Sequence, residues 1–168
     1  MKKHVIAAAL VAFACGAPAV AQDRFGRFDE PLARFEGGIG AQAFARVNNA
    51  AAPNDVQGVP SAGRPWVIKD LSATVRASGR VSVRGRGLLV AGGNGVGTNA
   101  GQSVHARLFC GTVAHNSATV SLDADGDFRI EGQLDPIPPS DCATPVLLIV
   151  NGVAPAGAWF AAGIRDQR

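Results

Sequence analysis

The stretch 71–86 reads LSATVRASGRVSVRGR, and its period decides the fold class. Leu71, Ala73 and Val75 alternate with Ser72, Thr74 and Arg76. Ser78 and Gly79 then supply a tight turn, after which Val81 and Val83 alternate with Ser82 and Arg84. A two-residue period sends successive side chains to opposite faces of a strand, so the stretch is a β-hairpin with one apolar face and one polar face.

The same pattern continues downstream. Gly87 to Ala91 is a short apolar run that ends in the loop Gly92 to Gly101. Val104, Ala106, Leu108 and Cys110 then alternate with His105, Arg107 and Phe109, which predicts a third strand with His105 facing outward and His115 in the turn beyond it. Ala118, Val120 and Leu122 run into Asp123, Ala124, Asp125 and Gly126, and Phe128 and Ile130 follow in alternation with Arg129 and Glu131. This is the composition of a second hairpin. Pro136, Pro138 and Pro139 cannot donate to a ladder, so they form an extended crossing that delivers Cys142 to the next strand. Val146 to Val150 is unbroken and apolar, as expected of a strand buried on both sides, and Ala158 to Ile164 supplies the last strand. Seven strands between residues 66 and 168, with no amphipathic helix among them, predict an all-β domain. The expected form is a seven-stranded antiparallel immunoglobulin-like sandwich, with a small β-barrel as the alternative.

Residues 22–65 differ. Phe25, Arg27, Phe28, Asp29, Glu30, Arg34 and Phe35 mix aromatic and charged side chains, Gly37, Gly38 and Gly40 follow, and Asn48 to Ser61 is polar. No sustained apolar period is present, so the stretch reads as a flexible N-terminal arm with one short helix around Pro31 to Phe35. The three Phe residues are expected to pack back on the domain.

Residues 1–21 carry a targeting pattern. Lys2 and Lys3 form a basic start, Val5 to Ala14 an apolar stretch, and Ala19, Val20 and Ala21 a small-residue peptidase site with cleavage between Ala21 and Gln22. The alternative is a lipid anchor at Cys15, preceded by Ala12, Phe13 and Ala14; Ala12 stands where such sites usually carry Leu. The apolar stretch falls short of the ~20 residues of a membrane-spanning helix, and no later segment reaches that length unbroken, so the mature chain is expected to lack a transmembrane segment. The expected location is therefore periplasmic or extracellular.

Removal of Lys2 and Lys3 leaves 14 of the 16 Lys and Arg residues against 13 Asp and Glu, so the mature chain is nearly neutral and offers no global case for nucleic-acid binding. It also retains two cysteines, Cys110 and Cys142, expected to pair in an oxidising compartment. Neither has a His or Cys at zinc-like spacing.

The remaining chemistry has structural explanations. Gly92, Gly93, Gly95 and Gly97 suggest a phosphate cradle, but a strand follows instead of the helix whose N-terminus would face the phosphate. Asp123, Asp125 and Asp127 suggest a calcium loop, yet Gly126 interrupts the carboxylates and no distal Glu completes the set. His105 and His115 have no neighbouring Ser, Cys or Asp motif of a nucleophilic triad. Arg76, Arg80, Arg84 and Arg86 could form an anion-binding surface on the first hairpin, for which a solvated sheet face is the simpler account. No catalytic residue, cofactor or metal ligand is assigned.

Taken in order, Pro65-Trp66, the run Val83 to Leu88, Leu108-Phe109-Cys110, Asp125-Gly126-Asp127-Phe128, Asp141-Cys142 and Pro145 to Leu148 resemble a group of uncharacterised secreted bacterial proteins, over roughly Pro65 to Ile164. The resemblance implies export, a β domain and paired cysteines, and it brings no activity. The expectation is an exported, non-catalytic binding or structural module with an envelope or extracellular partner; the alternative is a secreted hydrolase with dispersed catalytic residues. Intact-mass measurement of the secreted protein should give a chain beginning at Gln22. A lipid-modified chain beginning at Cys15 would overturn that assignment.

Overall fold

The computed structural model describes residues 30–47, 50–152 and 157–167. The expected targeting segment, residues 1–21, with its expected Ala21/Gln22 cleavage site and Cys15, and also Phe25 and Phe28, lie outside the described residues. The described chain contains no helix. Its strands are β1 (Pro31–Gly40), β2 (Phe44–Val47), β3 (Ala50–Pro53), β4 (Trp66–Val67), β5 (Asp70–Arg76), β6 (Arg80–Arg86), β7 (Leu89–Val90), β8 (Ser103–Cys110), β9 (Val113–Asn116), β10 (Val120–Ser121), β11 (Phe128–Gln133), β12 (Val146–Asn151) and β13 (Trp159–Arg165).

Eight of these follow one another in a single sheet, in the order β10-β8-β12-β13-β1-β5-β6-β11, while β9 pairs with β8. Every pairing in that sheet is antiparallel. The sheet curls into a half-barrel, and its two edges meet at one bridge, where the backbones of Asn116 and Asp135 exchange hydrogen bonds of 2.8 and 2.9 Å. The antiparallel all-β reading therefore holds, but the chain builds one continuous curled sheet of eight strands where a seven-stranded sandwich in two facing sheets was expected.

The eighth strand lies where the flexible arm was expected. β1 pairs with β13 on one side and β5 on the other, so residues 31–40 are interior to the sheet, with neither the short helix nor an arm. Ala33 and Phe35 alternate with exposed Arg34 and Glu36, and Phe35 is 1% exposed. Beyond Phe35 the register with β13 shifts, and glycines replace side chains. A Cβ at Gly40 would overlap the Trp66 carbonyl, so the absence of a side chain there lets the strand that begins at Trp66 cross directly over β1. Two hydrogen bonds fix the crossing: Ala41 N donates to Phe160 O and Trp66 N donates to Ala41 O, both at 2.8 Å.

The first hairpin forms as its period requires. β5 and β6 pair from Asp70↔Arg86 to Val75↔Val81, with Leu71, Val75 and Val81 fully buried. The second expected hairpin does not form. Asp123 N donates to Asp127 O across the turn at 3.1 Å, but β10 then joins β8 and β11 joins β6, at opposite edges of the sheet. The turn carries the chain across the opening of the curl. β12 matches its apolar run, with Leu147, Leu148, Ile149 and Val150 all fully buried.

The proline-rich segment crosses one end of the half-barrel, from β11 to β12. Leu134 N donates to Gly79 O, Arg165 Nη1 donates to Ala143 O at 2.8 Å, and a disulfide joins Cys110 to Cys142. That bridge encloses 31 residues, and restricting such a loop in the unfolded chain is worth about 3–4 kcal/mol. Replacing both cysteines with serine should therefore lower unfolding stability by about 2–4 kcal/mol in chemical denaturation while the far-ultraviolet circular dichroism stays that of a β protein. An unchanged denaturation midpoint would show that the crossing holds without the bridge.

Candidate functional site

The four arginines proposed as one surface separate into two groups. Arg76 and Arg80 flank the turn at the proline-crossing end of the β5–β6 hairpin, whereas Arg84 and Arg86 lie toward its other end. The strand register brings a fifth arginine, which the sequence reading missed, to the second group. Arg84 stands directly opposite Arg129 on β11, and both are exposed. Like charges in directly opposed positions on a sheet destabilise it unless something compensates them. Glu131 does so for Arg129, receiving its Nε at 3.1 Å and Nη2 at 2.9 Å, and the same oxygen accepts from Ser82 Oγ at 2.9 Å. Arg84 flanks two grooves. One, of about 290 Å³, runs over Glu36, Ser72, Thr74 and Ser82 toward Arg129 and Glu131. The other, of about 490 Å³, is bordered by Arg86, Ser121, Asp123 and Arg129.

The aspartate turn is built by its own backbone. Asp123 Oδ1 accepts from Asp125 N (3.0 Å) and Asp127 N (2.8 Å), and Asp127 Oδ1 accepts from Gly87 N (2.9 Å). Both carboxylates serve to shape the turn. Among the described residues no group of three His, Cys, Asp or Glu side chains is placed to hold a metal ion. The glycine loop closes on itself, with Val90 N to Thr98 O and Gly97 N to Val90 O each at 2.9 Å, and leads into β8 as a strand.

Both histidines differ from expectation. His105 is 5% exposed and does not face solvent, because this part of the sheet is buried on both faces: Val150 opposite it is fully buried, and so is the neighbouring pair Ala106 and Ile149 on the other face. His115 belongs to β9 and is 2% exposed. Its Nδ1 lies 2.6 Å from Pro136 O; a carbonyl only accepts, so Nδ1 carries the proton, and the buried Nε2 has no hydrogen-bond partner among the described residues. His105 is held by the Asn116 side chain and the Asn151 backbone, and Arg107 Nε donates to Asn116 Oδ1 at 2.7 Å. Burial, then the Arg107 charge, hold the His105 pKa below its ordinary value, with the two hydrogen bonds opposing them.

A third groove lies at the end of the half-barrel away from the proline crossing. It measures about 530 Å³ and is lined by segments distant in sequence, including Arg64, Trp66, Gln102, Asn151 and Phe160. The rings of Trp66 and Phe160 stack there, 4.1 Å apart at 16°. No protein-family model, curated protein or solved structure matches this chain. Assignment of its surfaces therefore rests on their own geometry and chemistry.

The His105 environment gives a pH dependence of defined sign. Its pKa is depressed in the folded state, so the unfolded chain takes up the proton first, and stability should fall as pH drops below about 6.5. Denaturation at pH 5.5 and 7.5, with an NMR titration of the His105 ring, checks this. A titration midpoint at or above the ordinary histidine value would contradict the assignment.

Proposed function

We propose that this chain is an exported, non-catalytic binding module of the periplasm or the extracellular space, and that it engages an acidic glycan through the outer face of β5, β6 and β11. The observation that carries the reading is the in-register pair Arg84 and Arg129, flanked by Arg86. Arg129 is held in place by Glu131, while Arg84 beside it presents a planar fork of donors suited to carboxylate or sulfate. Ser72, Thr74 and Ser82 border the second, smaller groove that Arg84 and Arg129 share, so hydroxyl partners for a sugar lie next to the charge.

Export is supported by the targeting pattern, by the disulfide, which persists in oxidising compartments, and by the resemblance to secreted bacterial proteins. No helix among the described residues is long and apolar enough to cross a membrane. The rival hydrolase reading gains no specific support: His105 and His115 line none of the three grooves, and the partners of both are amides or carbonyls.

Polygalacturonate and heparin should bind the mature protein with an affinity that falls as salt rises, and dextran should not bind. The double substitution Arg84→Ala with Arg129→Ala should weaken binding about tenfold, in line with the loss of charge-assisted hydrogen bonds, while Arg80→Ala at the far end of the hairpin changes little. Equal losses in the two variants, or equal binding of dextran, would refute the assignment. Binding to vesicles of anionic lipid in preference to either glycan would move the partner to a membrane surface.

A further inference from the structure

The groove at the open end of the half-barrel has the construction of a small-molecule site. Ligand sites favour the mouths of curled or closed sheets, where an apolar floor meets a few convergent polar groups. Here the floor comes from Trp66, Val90 and Phe160, and Trp66 and Phe160 are each only 4% exposed. The two stacked rings therefore form a firm base that offers its margin to the groove. Arg64, Gln102 and Asn151 supply the polar side.

Arg64 is exposed yet fixed. Its Nη1 donates to Asn94 O at 2.7 Å, which holds the guanidinium against the glycine loop, close to Gly95. Among the described residues no Asp or Glu lines the groove, and Arg64 is the one charged side chain on its wall. A fixed cation beside an apolar floor, with two carboxamides near it, is complementary to a molecule that joins an apolar body to a single carboxylate.

We infer that this groove binds a small amphipathic monocarboxylate, with its carboxylate on Arg64 and its apolar body over Trp66 and Phe160. The site is separate from the arginine face proposed for glycans, and neither depends on the other.

The two tryptophans provide the test, because their indole N–H signals can be followed together in the intact mature protein by NMR. Trp159 is already engaged, donating its Nε1 to Asn54 O at 2.9 Å. Titration with octanoate should move the Trp66 signal in a saturable way and leave that of Trp159 nearly unmoved. Octan-1-ol should move the same signal with about tenfold weaker affinity, since it lacks the charge. Arg64→Gln, a change at an exposed position, should remove that difference by weakening octanoate about tenfold and leaving octanol as it was. Ala158→Leu, which narrows the groove, should weaken both. The inference is overturned if octanoate leaves the Trp66 signal in place, or if Arg64→Gln binds octanoate as tightly as the parent. Polygalacturonate binding, read separately through the Arg84 and Arg129 variants, would be unaffected by either outcome.

Discussion

β1 bonds along both of its edges, and the sheet depends on that. On one side of it lie β13, β12, β8 and β10, and on the other β5, β6 and β11. Without β1 these would be two antiparallel units with raw edges, each exposing unpaired backbone groups to water or to other chains. Its placement forces the rest. Phe35 fills the core between the units, while Gly38 and Gly40 let Ile68 and the Trp66 backbone pass close by. The pairing is also long-range: Phe35 lies opposite Arg165, so the sheet closes only when the last strand is available. Such non-local pairing makes folding slow compared with a helical protein of the same size.

The two ends of the half-barrel are built differently. The proline crossing, the disulfide and the Asn116–Asp135 bridge close one end. At the other end the described chain makes two short ribbons, β2 with β3 and β4 with β7, and the loops between them leave the groove beneath Arg64. Rigidity and access are thus divided between the ends. Covalent and backbone bonds hold one end while side chains from several loops shape the other.

How much of this could be read from the chain follows from the range of each signal. The β5–β6 hairpin and the buried β12 were legible because their patterns are local: alternation around Ser78-Gly79 in the first, five consecutive apolar residues in the second. β1 was not, because only Ala33 and Phe35 alternate before the glycines begin, and the glycines that permit close crossing have the composition of a flexible arm. His105 was misplaced because alternation presumes one solvated face, and β8 has none at that point. The Arg84–Arg129 pair needed the register of β11 on β6, which no local pattern encodes. The groove at the open end draws on residues from 62 to 160, so its aromatic floor and its cation carried no sequence signal as a group.

The pairing of β1 with β13 also brings the outer ends of the first and last strands together. Asp166 N donates to Arg34 O at 2.9 Å and Arg165 reaches the Ala143 carbonyl beside Cys142, so those strand ends lie side by side at the disulfide end, away from the groove. A tether attached directly at Glu30 or Gln167 would hold the domain by its closed base and turn the open end outward. The same adjacency makes the described domain a good subject for circular permutation, since a short linker could join Gln167 to Glu30 and new ends could be opened at an exposed turn.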